Sequence, residues 1–198
     1  MAHSDEVVLD RIVTVPNLIS AARIALIPVF GWAFLTGSRD TFALILLIVI
    51  GCSDWVDGYV ARKTGQVSKL GKLLDPVADR IAIVIVLIAL TFRGVVDEPV
   101  AAALLSRDLI VSIVFPILES KGFPRLAVNQ TGKWATALIF FGMGFAAGSV
   151  LETPVQTSSG VLSQILLIAG AVLYWTAGVF YVREIRKLIA ARSAEVTA

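Results

Sequence analysis

Apolar runs long enough to cross a bilayer recur along this chain, and they leave it little choice of fold. They lie at about 17–36, 42–61, 76–93, 99–119, 132–150 and 160–182. Each approaches the ~20 residues a helix needs to cross a hydrocarbon core ~30 Å thick. Inside lipid the backbone must satisfy its own hydrogen bonds, which leaves helices and closed barrels. The run lengths, the glycine content and the lack of strict alternation select helices. The expected fold is an all-α integral membrane protein with six transmembrane helices. Composition agrees, with 57% of 198 residues hydrophobic and a mean hydropathy of +0.85. "TVPN" before the first run reads as a helix start, with Pro16 in or just before the first turn. "DEVVLDRIV" ahead of it is expected to form a short interfacial helix. The chain thus divides into a cytoplasmic N-terminal segment (1–16), a six-helix membrane domain (17–182) and a basic cytoplasmic tail (183–198).

Charge narrows the function classes. A net charge of +2, with no basic run and no aromatic–basic platform, gives no support for nucleic-acid binding. The N-terminus carries acids where a basic n-region would stand, so no cleaved signal peptide is expected. The single cysteine, Cys52, permits no intrachain disulfide and reads as a packing residue. His3 is the only histidine, which removes the basis for a histidine mechanism or a zinc site. Lys and Arg concentrate at Arg62, Lys63, Lys69 and Lys72, again at Lys121, Arg125 and Lys133, and beyond Arg183. The positive-inside rule places those segments and both termini in the cytoplasm of a plasma-membrane protein.

Against that apolar background, four carboxylates stand out. Asp54 and Asp57 close the second run, and Asp75 and Asp79 open the third. Measured from Phe42 at ~1.5 Å per residue, the first pair lies ~18 and ~22 Å along its helix, near the cytoplasmic end. The second pair is expected in the first turns of the next helix, at a similar depth. Spacings of i,i+3 and i,i+4 put each pair on one helix face. Four like charges in a partly dehydrated place need neutralising. Two divalent cations would do so, and hard oxygen ligands suit Mg²⁺ or Mn²⁺ held jointly with substrate phosphates. Gly58 and Gly71 would leave room for a ligand beside the helices, and Arg62 offers a planar fork for phosphate. "DWVDGYVARKTG" lacks the ligand order of an EF-hand loop.

Asp54-x2-Asp57-Gly58-x2-Ala61-Arg62-x8-Gly71-x3-Asp75-x3-Asp79 matches the signature of the CDP-alcohol phosphotransferases at every position, and the chain is identified as resembling that family. A looser likeness runs from "TVPNLISAARIALIP" to "TGKWATA". The resemblance implies a metal-dependent enzyme of phospholipid biosynthesis at the cytoplasmic membrane face, which transfers the phosphatidyl group of CDP-diacylglycerol to an acceptor hydroxyl and releases CMP. It implies Asp54, Asp57, Asp75 and Asp79 as metal ligands, with Asp79 also the general base. Asp54, Gly58, Ala61, Arg62, Gly71 and Asp75 would contact the CDP-lipid. A homodimer is also implied, and the glycines of "FFGMGFAAGS" suit a helix contact.

Within the family the chain is similar to the phosphatidylglycerolphosphate synthases and the actinobacterial-type cardiolipin synthases. The former typically carry "GKLKT" and a nearby glutamine in the fifth span, where this chain reads Gly132-Lys133-Trp134-Ala135-Thr136. With one base fewer for an acceptor phosphate, the expected acceptor is phosphatidylglycerol, giving cardiolipin. Glycerol 3-phosphate is the alternative, and inositol phosphate the third. Arg107, Arg125 and Lys133 are the expected acceptor-binding residues. Arg23 and Arg80 read equally as substrate contacts or as braces for the site. A metal or proton transporter is the non-enzyme alternative, since acids within spans often line ion paths.

Overall fold

The computed structural model describes residues 14–65, 68–123 and 130–197; the expected interfacial helix and Arg125 lie outside them. Among the described residues the chain forms six helices: α1 (Val15–Leu35), α2 (Asp40–Thr64), α3 (Lys69–Phe92), α4 (Glu98–Ser120), α5 (Gln130–Gly148) and α6 (Gln156–Thr197). Four are long and apolar enough to cross a membrane: α1, Asp40–Ala61 of α2, α4, and Gln156–Arg186 of α6. The other two carry polar residues in their first halves, α3 with Asp75, Asp79 and Arg80 and α5 with Gln130 and Lys133. Large apolar side chains such as Leu18, Ile48, Leu109, Phe141 and Ile165 are exposed, a coat that suits lipid better than water. The chain divides into two compact units, Met1–Val95 with Ala147–Gln156, and Val96–Ala146 with Thr157–Ala198.

In the first unit, α1 packs against both α2 and α3. It starts where its sequence predicts: Thr14 caps it, accepting from the Asn17 N–H at 3.3 Å, and Pro16 occupies the first turn. One face of α1 is buried from end to end, but its chemistry changes along the way. Asn17, Ser20 and Arg23 line the first half, and Ile27, Phe30 and Phe34 the second. That apolar second half is buried, as are Leu46 and Ile50 of α2 and Val86, Leu87 and Leu90 of α3, the two helices α1 packs against. At Gly31 a Cβ would lie 3.1 Å from Ile85, so α1 and α3 approach closely there.

The end away from the aspartates is closed by Arg93, the C-cap of α3. Its guanidinium donates to the Phe34 carbonyl at 3.1 Å and to both carboxylate oxygens of Asp40. It thereby ties the end of α1 to the start of α2. Replacing Arg93 with methionine should lower stability by ~1–3 kcal/mol, because the partly buried Asp40 carboxylate loses its charged donor. A thermal melt in detergent reads this directly, and Asp40→Asn should give a smaller loss.

α2 and α3 each run further toward the aspartate end than hydropathy suggests. α2 continues to Thr64 and stops at Gly65, whose φ of +65° is the left-handed conformation a helix C-terminus favours. α3 starts at Lys69, because Ser68 caps it by accepting from Gly71 N–H at 2.9 Å. Asp75 therefore sits in the second turn of α3 rather than at its opening. Residues 65–68 separate the two helices, a much shorter interval than the 62–75 gap between the apolar runs.

In the second unit, α5 and α6 meet through reciprocal small-residue contacts. A Cβ on Gly142 of α5 would lie 2.8 Å from Leu167, and one on Gly170 of α6 would lie 2.8 Å from Ile139. Gly142 thus serves packing inside the chain, whereas Gly144 faces open space. α4 and α6 are joined by polar and aromatic bonds. Tyr174 donates to Asp108 at 2.7 Å, Trp175 donates to the Ala103 carbonyl at 3.0 Å, and Phe115 meets Tyr181 edge to face at 5.3 Å. α6 is continuous through Thr197, so the basic tail begins as an extension of the last helix. Cys52 is a free, exposed cysteine on α2.

Candidate active site

All four aspartates of the signature gather around two residues of α1, Arg23 and Ser20. Arg23 is only 1% exposed, and its Nη1 donates to Asp54 at 2.8 Å and to Asp79 at 3.1 Å. Its Nη2 donates to Asp57, which is itself buried. Asp75 enters through Ser20, whose Oγ lies 2.9 Å from Asp75, 3.1 Å from Asp57 and 3.2 Å from the Pro16 carbonyl. That hydroxyl has one proton for three acceptors. Three helices therefore converge, with α1 supplying donors and α2 and α3 supplying acids.

The local sequence explains the convergence. Asn17, Ser20 and Arg23 follow helical spacing and continue the stripe that packs as Ile27, Phe30 and Phe34 higher up. Once the apolar half is buried against α2 and α3, the polar half is aimed at the same two helices. Asn17 adds a second link, accepting from the Ser68 hydroxyl at 2.8 Å. Its Oδ1 lies 2.7 Å from where a Cβ on Gly71 would stand. The missing side chain at Gly71 thus leaves room for Asn17, so that α1 and the start of α3 can touch.

The cluster is unevenly covered. Asp57 is closed in, while the Asp54 and Asp79 side chains are 52% and 43% exposed. A ligand can thus approach the pair contributed by two different helices. With all groups ionised, four carboxylates and one guanidinium leave three negative charges, and the donors are hard oxygens. That donor set and that deficit fit divalent cations. The geometry adds a condition: no three His, Cys, Asp or Glu among the described residues converge closely enough to hold a metal ion. The Arg23 guanidinium stands between the carboxylates instead.

Gly58 and Ala61 are half-buried on α2 just beyond the acids; the Arg62 side chain lies outside the described ones. Arg80 follows Asp79 on α3 and is half-buried. Of the expected acceptor residues, Lys133 is exposed on the first turn of α5. Arg107 is buried on α4, its guanidinium 3.6 Å from the Tyr174 ring centroid and 4.0 Å from Asp108. Its Nε has no hydrogen-bond partner. Arg107 also borders a cavity of about 330 Å³ between α4 and α6, walled by Ile110, Val114, Phe115 and Val179, with Arg183 and Arg186 beside it.

Sequence alone does not decide the role of Arg23, nor does it single out Ser20 and Asn17. Their signal was present: three polar residues on one face of an otherwise apolar helix, in register with the apolar stripe that follows.

Comparison with known proteins bears on the chemistry. The family model for CDP-alcohol phosphatidyltransferase matches residues 13–182. The chain is similar to a cardiolipin synthase (CMP-forming) of Streptomyces coelicolor, 36% identical over 187 residues, covering 92% of this chain and 87% of that one. A putative cardiolipin synthase of Mycobacterium tuberculosis is 40% identical over 127 residues, 64% of this chain and 61% of that one. A CDP-diacylglycerol–glycerol-3-phosphate 3-phosphatidyltransferase of Haemophilus influenzae is 31% identical over 138 residues, 66% and 73% of the two. Since the match runs from the cap of α1 deep into α6 and takes in the aspartate cluster, the chain belongs to the CDP-alcohol phosphatidyltransferases, a family of phospholipid-synthesising enzymes.

Proposed function

We propose that the protein transfers the phosphatidyl group of CDP-diacylglycerol to a hydroxyl of phosphatidylglycerol, forming cardiolipin and releasing CMP. The observation that carries this reading is the gathering of Asp54, Asp57, Asp75 and Asp79, from two helices, into one cluster with an open side. In the transfer, the acceptor oxygen bonds to the phosphatidyl phosphorus and the bond from that phosphorus to the CMP oxygen breaks. The acceptor's proton passes to Asp79, whose side chain is open enough to reach it. Asp54, Asp57, Asp75 and Asp79 would hold two divalent cations, Mg²⁺ or Mn²⁺, which when bound supply Lewis-acid polarisation of the pyrophosphate. Gly58, Ala61, Arg62 and Gly71 complete the surface for the CDP moiety. Family membership sets the transporter reading aside.

Two observations favour a lipid acceptor. The relative matched along most of the chain is named a cardiolipin synthase. The α4–α6 cavity is apolar along its walls and basic beside them, which fits an acyl chain under an anionic headgroup better than a small water-soluble phosphate. Arg107, Arg125 and Lys133 are assigned to the acceptor on this reading. The membrane arrangement belongs to the same proposal: six crossings, with α3 and α5 included, both termini and the aspartates on the cytoplasmic side, and a homodimer.

Purified protein given CDP-diacylglycerol and Mg²⁺ should release CMP with phosphatidylglycerol and not with glycerol 3-phosphate. The opposite preference would make it a phosphatidylglycerolphosphate synthase. Gly178 tests the cavity separately, since it lines the wall and a Cβ there meets nothing within 4 Å. Gly178→Leu should fold normally and raise the KM for phosphatidylglycerol about tenfold, the scale of losing one apolar contact. An unchanged KM would remove the cavity from acceptor binding.

A further inference from the structure

The aspartate cluster contains a positive charge that the proposed transfer does not use. Arg23 is buried and donates to carboxylates from two other helices, yet its Nε finds no partner. A guanidinium held as a permanent structural anchor would be expected to have its donors matched. Its partners are also unequal. Asp57 is enclosed with it, whereas Asp54 and Asp79 face outward and are about half exposed. It sits between carboxylates from α2 and α3, and with all groups ionised three negative charges remain after Arg23 is counted, so an added cation is attracted there.

We infer that Arg23 is a displaceable internal counter-cation. In the ion-free chain it keeps Asp54, Asp57 and Asp79 together against their mutual repulsion. When a divalent cation binds, Arg23 gives up the two open carboxylates and stays on buried Asp57. Arg23 is thus a positioning residue, acting through the carboxylates. This inference rests on reading the aspartates as a cation site. It explains why the carboxylates are gathered while no three of them converge on one point.

The sign of the effect separates this role from the alternatives. Removing Arg23 removes a competing positive charge and raises repulsion in the ion-free state, and both changes favour the incoming cation. A purely structural arginine would stabilise the ion-free and ion-loaded chain alike. An arginine reserved for substrate phosphate would leave cation binding without nucleotide unchanged.

The test uses the full-length protein in detergent, without nucleotide, and Mn²⁺ as the probe. Binding is followed by the electron paramagnetic resonance signal of free Mn²⁺, and stability by thermal melts in EDTA and in saturating Mn²⁺. Arg23→Met should bind Mn²⁺ tighter by about tenfold or more, the scale of removing one nearby unit charge in a partly screened site. Its melting temperature should fall in EDTA and recover in Mn²⁺, so the gap between the two conditions widens beyond that of the unaltered protein. Arg23→Lys keeps the charge but not the fork, and should fall between the two. Unchanged or weaker Mn²⁺ binding, or an equal melting loss in both conditions, overturns the inference. Should Arg23→Met unfold in EDTA, it is prepared in Mn²⁺ and its affinity read by chelator competition, with Arg23→Lys giving the same sign. Asp54→Asn serves as the control for the underlying reading. If it leaves Mn²⁺ binding intact, the cation site itself is wrong and this inference falls with it. If it abolishes binding while Arg23→Met changes nothing, only the role of Arg23 is wrong.

Discussion

Asp57→Asn and Asp79→Asn should each reduce CMP release by ~10²–10⁴-fold while leaving the helical content and detergent-solubilised size unchanged. The two substitutions act by different routes. The Asp79 side chain is partly exposed, and on the proposed roles an amide there cannot take the acceptor's proton. Asp57 is buried beside Arg23, so the amide keeps the shape but removes the charge that anchors the guanidinium and a cation ligand. Fold is retained because the core above the cluster, from Ile27 to Phe34 with its partners on α2 and α3, is untouched. Product formation from labelled CDP-diacylglycerol, read beside circular dichroism, checks both points. Full activity in either variant would remove the aspartate cluster from the chemistry.

A large loss of stability is also expected from crowding in the second unit. Gly142→Leu or Gly170→Leu should each cost ~1–3 kcal/mol, and more if the helices cannot separate locally. The new Cβ would stand 2.8 Å from the Leu167 Cγ or the Ile139 Cγ1, with backbone nitrogens of the facing helix 3.2 and 3.3 Å away. Side-chain rotation alone cannot clear a contact that includes backbone, so α5 and α6 must move apart. Gly144→Leu is the matched comparison, since its Cβ meets nothing. Melting temperatures of the three variants should separate Gly144→Leu from the other two; similar values for all three would contradict the close packing described.

Much of the architecture could be read from the apolar runs, because burial in lipid demands them. Each of the six runs lies within one described helix, overrunning its end by two residues at most, and Thr14 and Pro16 mark the first start correctly. What hydropathy misses is helix that leaves the apolar region. The turn from Lys69 to Asp75 is helical because Ser68 caps it, and the extension of α6 beyond residue 182 is helical without being apolar. At the site, the spacing of the aspartates correctly predicted shared faces, since i,i+3 and i,i+4 are fixed by helix geometry. The partner was harder to read. Nothing in "SDWVDG" or "LLDPVADR" reports which residue of α1 faces them; that follows only from the packing of Ile27, Phe30 and Phe34 further along.

The single buried face of α1 also constrains which sequence changes the first unit can tolerate. Each inserted or deleted residue turns the following part of a helix by about 100°. One residue added between Arg23 and Ile27 would therefore put the polar and apolar halves out of phase. If Ile27, Phe30 and Phe34 kept their place in the core, Asn17, Ser20 and Arg23 would swing away from the carboxylates. If the polar residues kept theirs, the core would open. Substitutions can tune this helix position by position, but its length between charge and core is locked, so any lengthening must fall outside that interval.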